Sequence, residues 1–440
     1  MISRFFAAML LLGGMLSAQP ELLQSGPMVG YSEMREVMVW AQTTEPAEVH
    51  VEFWPEGDPD ARGATVPMLT DGESAHIAWL VIGGLEPGTR YRYALYINGE
   101  AVPRDYRLSF QTQMLWQWRT DPPPVEFVIG SCAYVNDTAY DRPGTPYGSD
   151  YQIFKAIYDE APDFMIWLGD NVYLREADWY SRSGILDRYT HTRSLPEMQP
   201  LLGALHHYAI WDDHDYGPNN SDRSFRMKDV TLEAFRLFWG NPEGGLVDQP
   251  GITTMFQWAD LEFFLLDNRY HRSPNARVTG ERTILGAAQF EWLIDALAAS
   301  YAPFKFVVIG GQVLNSVESH ENYAVFAAER ERLLRAIRAE GITGVFFLTG
   351  DRHHTELSRM ERRGTYPLYD LTISSLTAGP NPRAVNEPND YRVDGTFLGE
   401  HNYGRLVVTG PRTERVLTIT TFDAGGAAKW ERVIPAAELR

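Results

Sequence analysis

The sequence predicts an α/β protein built on a mixed sheet and preceded by a smaller all-β domain, and three observations carry that prediction. Up to about residue 112, apolar and polar residues alternate as they do in half-buried strands. Beyond residue 125, short runs of β-branched and aromatic residues each end in a polar cluster, with helical patterns between them. The tail returns to strand-like runs at 369–374, 406–409 and 416–422, which extend a mixed sheet.

Size and composition fit this division. With 440 residues the chain exceeds the roughly 100–200 of one ordinary domain. Hydrophobic residues at 44% and aromatics at 12% exclude a disordered or collagen-like chain. The 39 basic residues against 58 acidic ones leave a formal charge of −19, a field that repels nucleic-acid backbones, so stable nucleic-acid binding is not expected. Cys132 is the single cysteine, so no internal disulfide forms.

Residues 1–18 read as a signal peptide: Arg4, an apolar run over 5–16, then Ser17-Ala18 before a polar break. Cleavage is expected near Ala18, with a secreted or periplasmic mature chain. Leu16 stands where a small residue is preferred, and a retained lipid-facing anchor is the alternative. No twin arginine precedes the run. No later stretch approaches the ~20 apolar residues needed to span a bilayer, so no transmembrane segment is expected in the mature protein.

Residues 19–115 form the all-β domain. Val37, Val39 and Ala41 alternate with Met38, Trp40 and Gln42, and Val49, Val51 and Phe53 with Glu48, His50 and Glu52. Asn98-Gly99 marks a tight turn between strands. The run Leu85-Glu-Pro-Gly-Thr-Arg-Tyr91 resembles the tyrosine corner of fibronectin type III domains, which implies a fibronectin III/Ig-like β-sandwich. No chemistry is assigned to it.

Residues 116–440 carry the chemistry. The strand at 125–130 runs into Ser131-Cys132, 164–169 into Asp170-Asn171, and 208–211 into Asp212-Asp213-His214-Asp215. Strands at 304–310 and 345–350 run into Gly311-Gln312 and Asp351-Arg352-His353-His354. Helical patterns intervene at 150–160, 228–239, 287–299 and 327–340. In α/β sheets, sites gather at the carboxyl ends of strands. If these tips share one edge, Cys132, Asp170 with Tyr173, Asp213 with His214, Gln312, and Asp351 with His353 and His354 meet there. Such a set repels itself unless cations hold it, so a metal site is predicted. Each tip alone is a weak signal: Gly-Asp often caps a helix, and a lone Cys or His is commonly a core residue.

Gly169-Asp-Asn-Val-Tyr173 resembles the Gly-Asp-x-x-Tyr motif of purple acid phosphatases and their relatives. Trp211-Asp-Asp-His-Asp215 and Gly350-Asp-Arg-His353 stand where calcineurin-like metallophosphoesterases carry Gly-Asn-His-Asp/Glu and Gly-His-x-His. With Gly130-Ser-Cys132 at the first tip and a β-domain before it, the chain resembles the alkaline phosphatase D (PhoD-like) family over nearly its whole mature length. The resemblance implies a mixed β-sheet sandwich flanked by helices, as in metallophosphoesterases, and hydrolysis of phosphomonoesters, phosphodiesters or both.

The residue types suggest which metals. Cys132 thiolate, Tyr173 phenolate and Asp170 carboxylate, completed by neutral His353, balance a trivalent ion such as Fe³⁺, because a phenol with a pKa near 10 ionises at neutral pH only beside a strong Lewis acid. Asp170 can bridge to a second position with Asp213, Asp351 and the carbonyl of Gln312 or Asn219. That all-oxygen set suits Ca²⁺, with Mg²⁺ or Mn²⁺ as competitors. The family resemblance implies the same pair, iron with calcium.

Candidate catalytic residues are His214, Arg352 and Asn171. His214 reads either as a leaving-group proton donor or oxyanion contact, or as support for Asp213. Arg352 can fork two phosphate oxygens or pair with an acidic neighbour. Asn171 can donate to phosphate or cap the following turn. His354 is expected to face away, since consecutive residues on an extended tip point oppositely. Arg269 is expected in a structural ion pair, His206 and His207 in ordinary packing, and 241–245 as a loop. Met114-Leu-Trp-Gln-Trp118 is read as glue between domains.

Three other readings compete. One is a dedicated phosphodiesterase for lipid headgroups, nucleotides or polymers, with specificity in the loops at 137–147 and 381–400. Another is a non-catalytic extracellular binding protein with a structural metal. The third, a nucleophilic-cysteine hydrolase, lacks the Cys-x₅-Arg phosphate loop, since Ala-Tyr-Val-Asn-Asp follows Cys132.

Overall fold

The computed structural model describes residues 22–440 apart from 244 and 247. The expected signal peptide lies outside the described residues. Among these residues no helix is long and apolar enough to cross a membrane.

The strands Val125–Gly130, Phe164–Leu168 and His206–Ile210 form a parallel ladder in sequence order. All five residues of each of the last two are buried, as expected of parallel strands covered on both faces. On one side the C-terminal strands Asn402–Thr409, Val416–Asp423 and Ala428–Pro435 add antiparallel, which is the predicted extension by the tail. On the other side the strand Leu23–Ser32 pairs parallel with His206–Ile210, Val29 opposite His206, and Glu36–Thr43 and Ile77–Gly83 follow it. The result is one nine-stranded sheet that runs from the N-terminal segment to the chain's C-terminal strands.

A second sheet of six strands contains the parallel run Leu261–Leu265, Lys305–Ile309, Val345–Thr349 and Leu368–Thr372, with antiparallel edges Thr254–Trp258 and Glu356–Met360. The two sheets face each other through aromatic side chains. Phe127 meets Phe263 edge-on at 5.2 Å and Phe306 at 5.4 Å, and Phe164 packs on Trp258 at 4.6 Å. Edge-to-face pairs of this kind each contribute about 0.5–1.5 kcal/mol beyond the area they bury. The helices Gln152–Glu160, Arg182–Arg193, Lys228–Phe238, Ala287–Ala299 and Ala327–Ala339 connect the strands and pack apolar faces, such as Ile153, Phe154 and Ile157, against this core.

A third sheet, centred on Glu48–Pro55 and Arg90–Ile97, faces the N-terminal end of the first sheet across a second core of Val29, Val37, Val39, Val49, Val51, Leu95 and Phe110. The predicted corner is present: the Tyr91 hydroxyl accepts the Glu86 N–H at 3.0 Å. The aromatic run differs from expectation. Only Trp116 is buried, while Trp118, at 82% exposure, stands in solvent, because the chain turns outward through a left-handed φ of 63° there.

Candidate metal centre

The predicted tips do share one edge. Each key side chain sits just after a buried parallel strand, where the chain breaks the extended conformation: φ is +60° at Cys132, +53° at Asp170, +68° at Asp351 and +56° at His353. Left-handed conformations at non-glycine residues cluster at functional sites because the surroundings must over-determine them. Here they turn four polar side chains off their strands into one space. Glycine makes the close packing possible. A Cβ at Gly310 would fall 2.6 Å from the Asp212 carboxylate, and Gly169 needs φ of +95° beside the Asp212 backbone.

The first group is Cys132, Asp170, Tyr173 and His353. Ligand atoms of Cys132, Asp170 and His353 all lie within 4.8 Å of one another. The Cys132 thiol donates to Asp170 Oδ2 at 3.8 Å, the Tyr173 hydroxyl reaches the same oxygen at 3.3 Å, and His353 Nε2 lies 3.3 Å from the Tyr173 oxygen. His353 Nδ1 meets the Gly379 carbonyl at 2.6 Å, which leaves Nε2 for the centre. Burial pushes the Cys132 thiol up to about 12 and, with the charges of Cys132 and Asp170, raises the Tyr173 phenol well above its ordinary value. Burial and the neighbouring Asp213 raise Asp170 as well. These groups therefore hold their protons unless positive charge is brought among them.

The second group is Asp212, Asp213 and Asp351, again with ligand oxygens within 4.8 Å, and Asp170, Asp213 and His214 form an overlapping set. Asp170 thus stands between the two groups, as a bridging carboxylate must. Asp213 Oδ2 accepts the Asn220 N–H at 2.5 Å, while its Oδ1 and Asp212 Oδ2 are buried without a hydrogen-bond partner. Orphaned carboxylate oxygens in a buried cluster fit a cation, since leaving them unmet costs about 1–3 kcal/mol each. Burial opposes ionisation of Asp213, but His214, Arg269 and the Asn220 amide together hold it below the usual carboxylate range. Burial, followed by Asp212 and Asp213, raises Asp351.

Asp212 is a residue sequence reasoning passed over. Its Oδ1 accepts from Asn268 at 2.7 Å and from Arg269 Nε at 2.6 Å, while Oδ2 remains free. The available signal was the run of acids in 212–215. Asp215, in contrast, is structural: it accepts the N–H groups of Asn171 at 2.9 Å, Val172 at 3.1 Å and Asp212 at 2.9 Å, tying two tips together.

Several expectations need correction. Gln312 is not turned to the carboxylates: its Oε1 accepts from Arg352 at 3.0 Å and Asn315 at 2.9 Å, and its amide donates to Glu356 at 2.7 Å and Thr372 at 3.0 Å. Arg352 follows the second of its two readings: its guanidinium is hydrogen-bonded to Gln312 and to Asn322 at 3.0 Å and paired with the acidic Glu387. The Asn171 amide nitrogen donates to the Ile210 carbonyl at 2.7 Å, while its Oδ1 is buried without a hydrogen-bond partner. Asn219 is exposed, and it is the next residue, Asn220, that contacts Asp213.

His214 does lie at the centre. Its ring stacks on Tyr173 with centroids 4.4 Å apart, its N–H donates to Asp170 Oδ1 at 3.1 Å, and burial lowers its pKa. His354 faces away and stacks on Phe397 at 5.3 Å. Arg269 is fully buried in ion pairs with Asp212 and with Glu321, the latter at 2.7 Å. His206 and His207 are buried against backbone groups. Half-exposed Tyr147 stands at the rim, with its hydroxyl 3.4 Å from His353 Nδ1.

Comparison with known proteins agrees with this geometry. A family model described as PhoD-like phosphatase matches residues 127–394, and a domain of unknown function, DUF7800, matches 20–115. Alkaline phosphatase D of Bacillus subtilis (strain 168) is 23% identical over 337 residues, 65% of this chain and 54% of the relative. The match thus spans about half the length of that curated relative. Among solved structures, one described as PhoD superposes with a TM-score of 0.73 at 18% identity, covering 93% of this chain and 92% of that one. A purple acid phosphatase, PPD1 from yellow lupin (Lupinus luteus) seeds, gives 0.67 at 13% identity, covering 93% and 74%. Both share the fold.

Proposed function

Because the chain belongs to the PhoD-like phosphatase family, we propose that it is an exported, metal-dependent phosphoester hydrolase. The observation that carries this reading is the convergence of Cys132, Asp170, Tyr173 and His353 next to Asp212, Asp213 and Asp351. A thiolate, a phenolate, a carboxylate and an imidazole fit Fe³⁺. The all-oxygen set of Asp170, Asp213, Asp351 and Asp212 fits Ca²⁺, with Mg²⁺ or Mn²⁺ as competitors. When bound, such ions offset the charge of a phosphate and make a coordinated water more acidic.

The chain's own residues hold and orient. Asp170 spans both groups and is fixed by the His214 amide. His214, kept neutral by burial, offers a ring N–H to an oxygen of the bound phosphate, and its stack on Tyr173 sets the plane of that contact. Tyr147 and the segment around Gly379 border the opening, with Gly148 bridged to Ala378. We read the loops at 137–147 and 381–400 as the elements that set the leaving group. The segment 19–115, read as a fibronectin III/Ig-like sandwich, positions the strand Leu23–Ser32 beside His206–Ile210 and takes no part in the chemistry.

Phosphate release from p-nitrophenyl phosphate and bis(p-nitrophenyl) phosphate tests the reading and separates a monoesterase from a diesterase. Asp170→Asn and Asp213→Asn, with unchanged circular dichroism, are expected to lower turnover by at least about a hundredfold. Undiminished release by both variants would refute it.

A further inference from the structure

Buried arginines in this part of the fold are held by carboxylates: Arg188 by Asp178 at 2.8 Å, Arg269 by Glu321 at 2.7 Å and Arg352 by Glu387. Arg175 is different. It is only 8% exposed, yet its Nε is buried without a hydrogen-bond partner, and its side chain donates no hydrogen bond to any described residue. Its ion pair with Glu176 is loose, at 3.7 Å, and Glu176 is itself solvent-exposed and already bound by Arg142 at 3.0 and 2.6 Å. A buried donor left unmet is costly, so an anion that completes it is favoured.

The backbone beneath this side chain is fixed. The Arg175 N–H donates to Asp178 Oδ2 at 2.7 Å, and its carbonyl accepts from Asp178 at 2.8 Å and Trp179 at 3.2 Å. Leu174, just before it, donates to the His214 carbonyl at 3.1 Å, which ties this turn to the tip that carries Asp213. The guanidinium carbon lies 5.8 Å over the Tyr134 ring, whose centroid is 5.0 Å from those of both Tyr173 and Tyr147. Arg175 therefore stands beside the first group of ligands, on the side of the rim. Its charge is felt at the centre: after burial, the main cause, Arg175 and His353 are among the groups that lower the His214 imidazole.

We propose that Arg175 is a substrate-binding residue of this centre: its guanidinium takes oxygens of the phosphoryl group from the side of Tyr134 and Tyr147, and so favours the dianion of a phosphomonoester over the monoanion of a diester. A planar fork of N–H donors fits two phosphoryl oxygens, and Coulomb attraction to a fixed cation doubles when the phosphate carries two charges instead of one. Neutral His214 beside it offers a hydrogen bond but no charge. The choice between ester classes rests on the phosphoesterase reading. The anion-binding role of the guanidinium does not.

Steady-state kinetics with p-nitrophenyl phosphate and bis(p-nitrophenyl) phosphate at about pH 8, above a second phosphate pKa of about 6, test it on wild type, Arg175→Gln and Arg175→Lys, with metal content and circular dichroism measured on each. Arg175→Gln is expected to lose about a hundredfold in kcat/KM for the monoester and no more than about tenfold for the diester, with metal content unchanged and inhibition by orthophosphate weakened about tenfold. Arg175→Lys, which keeps the charge and loses the fork, should fall between wild type and Arg175→Gln on the monoester. Equal losses on the two esters overturn the proposal, as do wild-type kinetics in both variants. Loss of metal from the variants would make Arg175 structural and overturns it too. Should Arg175→Gln not fold, the ratio of the two kcat/KM values in Arg175→Lys decides: a shift toward the diester supports the proposal, and an unchanged ratio overturns it. If wild type hydrolyses neither ester, the functional reading fails, and calorimetric titration with orthophosphate still decides the guanidinium. Weaker binding by Arg175→Gln then supports its anion-binding role, and equal binding overturns it.

Discussion

The Ser374 hydroxyl donates to the Cys132 sulfur across 3.1 Å, although the two residues are 242 positions apart in sequence. The same hydroxyl oxygen accepts the His353 N–H at 3.0 Å. Its proton is thereby directed at sulfur, where it favours the thiolate, while its lone pair fixes the tip that carries His353. Ser374 joins two of the side chains that would share a cation.

Ser374→Ala removes a hydrogen bond from each of those tips without touching a ligand atom. Metal affinity is expected to fall about 10–100-fold, the range seen when a partner behind a ligand is lost, with Ser374→Thr close to wild type. Competition with a chelator measures it. Unchanged affinity in Ser374→Ala would remove this hydroxyl from the account.

Arg269 is buried with Asp212 and Glu321 as its anions, and Arg272 reaches Glu321 at 3.0 Å. Arg269→Gln leaves carboxylates in a dry site without their main counter-charge, so unfolding free energy is expected to drop by about 3–5 kcal/mol. Denaturant melts of wild type and variant check this. A loss below about 1 kcal/mol would mean that the acidic cluster tolerates its own charge.

Acid should weaken the fold through His206 and His207. Burial lowers their pKa values to about 4 and about 3, so both rings are neutral in the fold. Below pH 6.5 the unfolded chain takes up protons that the folded chain refuses. Their effect is therefore absent above that pH, and stability drains away as pH falls toward 4, by on the order of 3 kcal/mol for each ring. Thermal melts from pH 7.5 to 4.5 should show a steeper decline in wild type than in His206→Gln. Parallel curves would contradict the assignment.

Much of this was legible in the sequence because the chemistry sits at strand ends. Buried β-branched runs ending in Asp170, Asp213 and Asp351 announced an edge of acids, and the period-two pattern announced the strands before residue 112. Pairing between Val29 and His206 was not legible, since nothing local encodes a contact between strands so far apart in the chain. The same holds for Arg352 and Gln312. Their types suit a phosphate or a metal, but Glu356 on an edge strand and Asn322 and Glu387 in loops distant in sequence take up their hydrogen bonds. Asp212 was hidden for the opposite reason. Nothing in the run 212–215 says which acids face the cluster, and only the buried guanidinium of Arg269 on one oxygen of Asp212 shows that the other is left to face it.

Metal content per chain of freshly purified protein, with its visible absorption spectrum, tests the central claim most directly. The account predicts about one iron per chain with a second, oxygen-bound cation such as calcium, and a phenolate-to-iron band that colours the protein and vanishes in Tyr173→Phe. A colourless protein that hydrolyses phosphoesters after exhaustive chelation, with no metal retained, would contradict it.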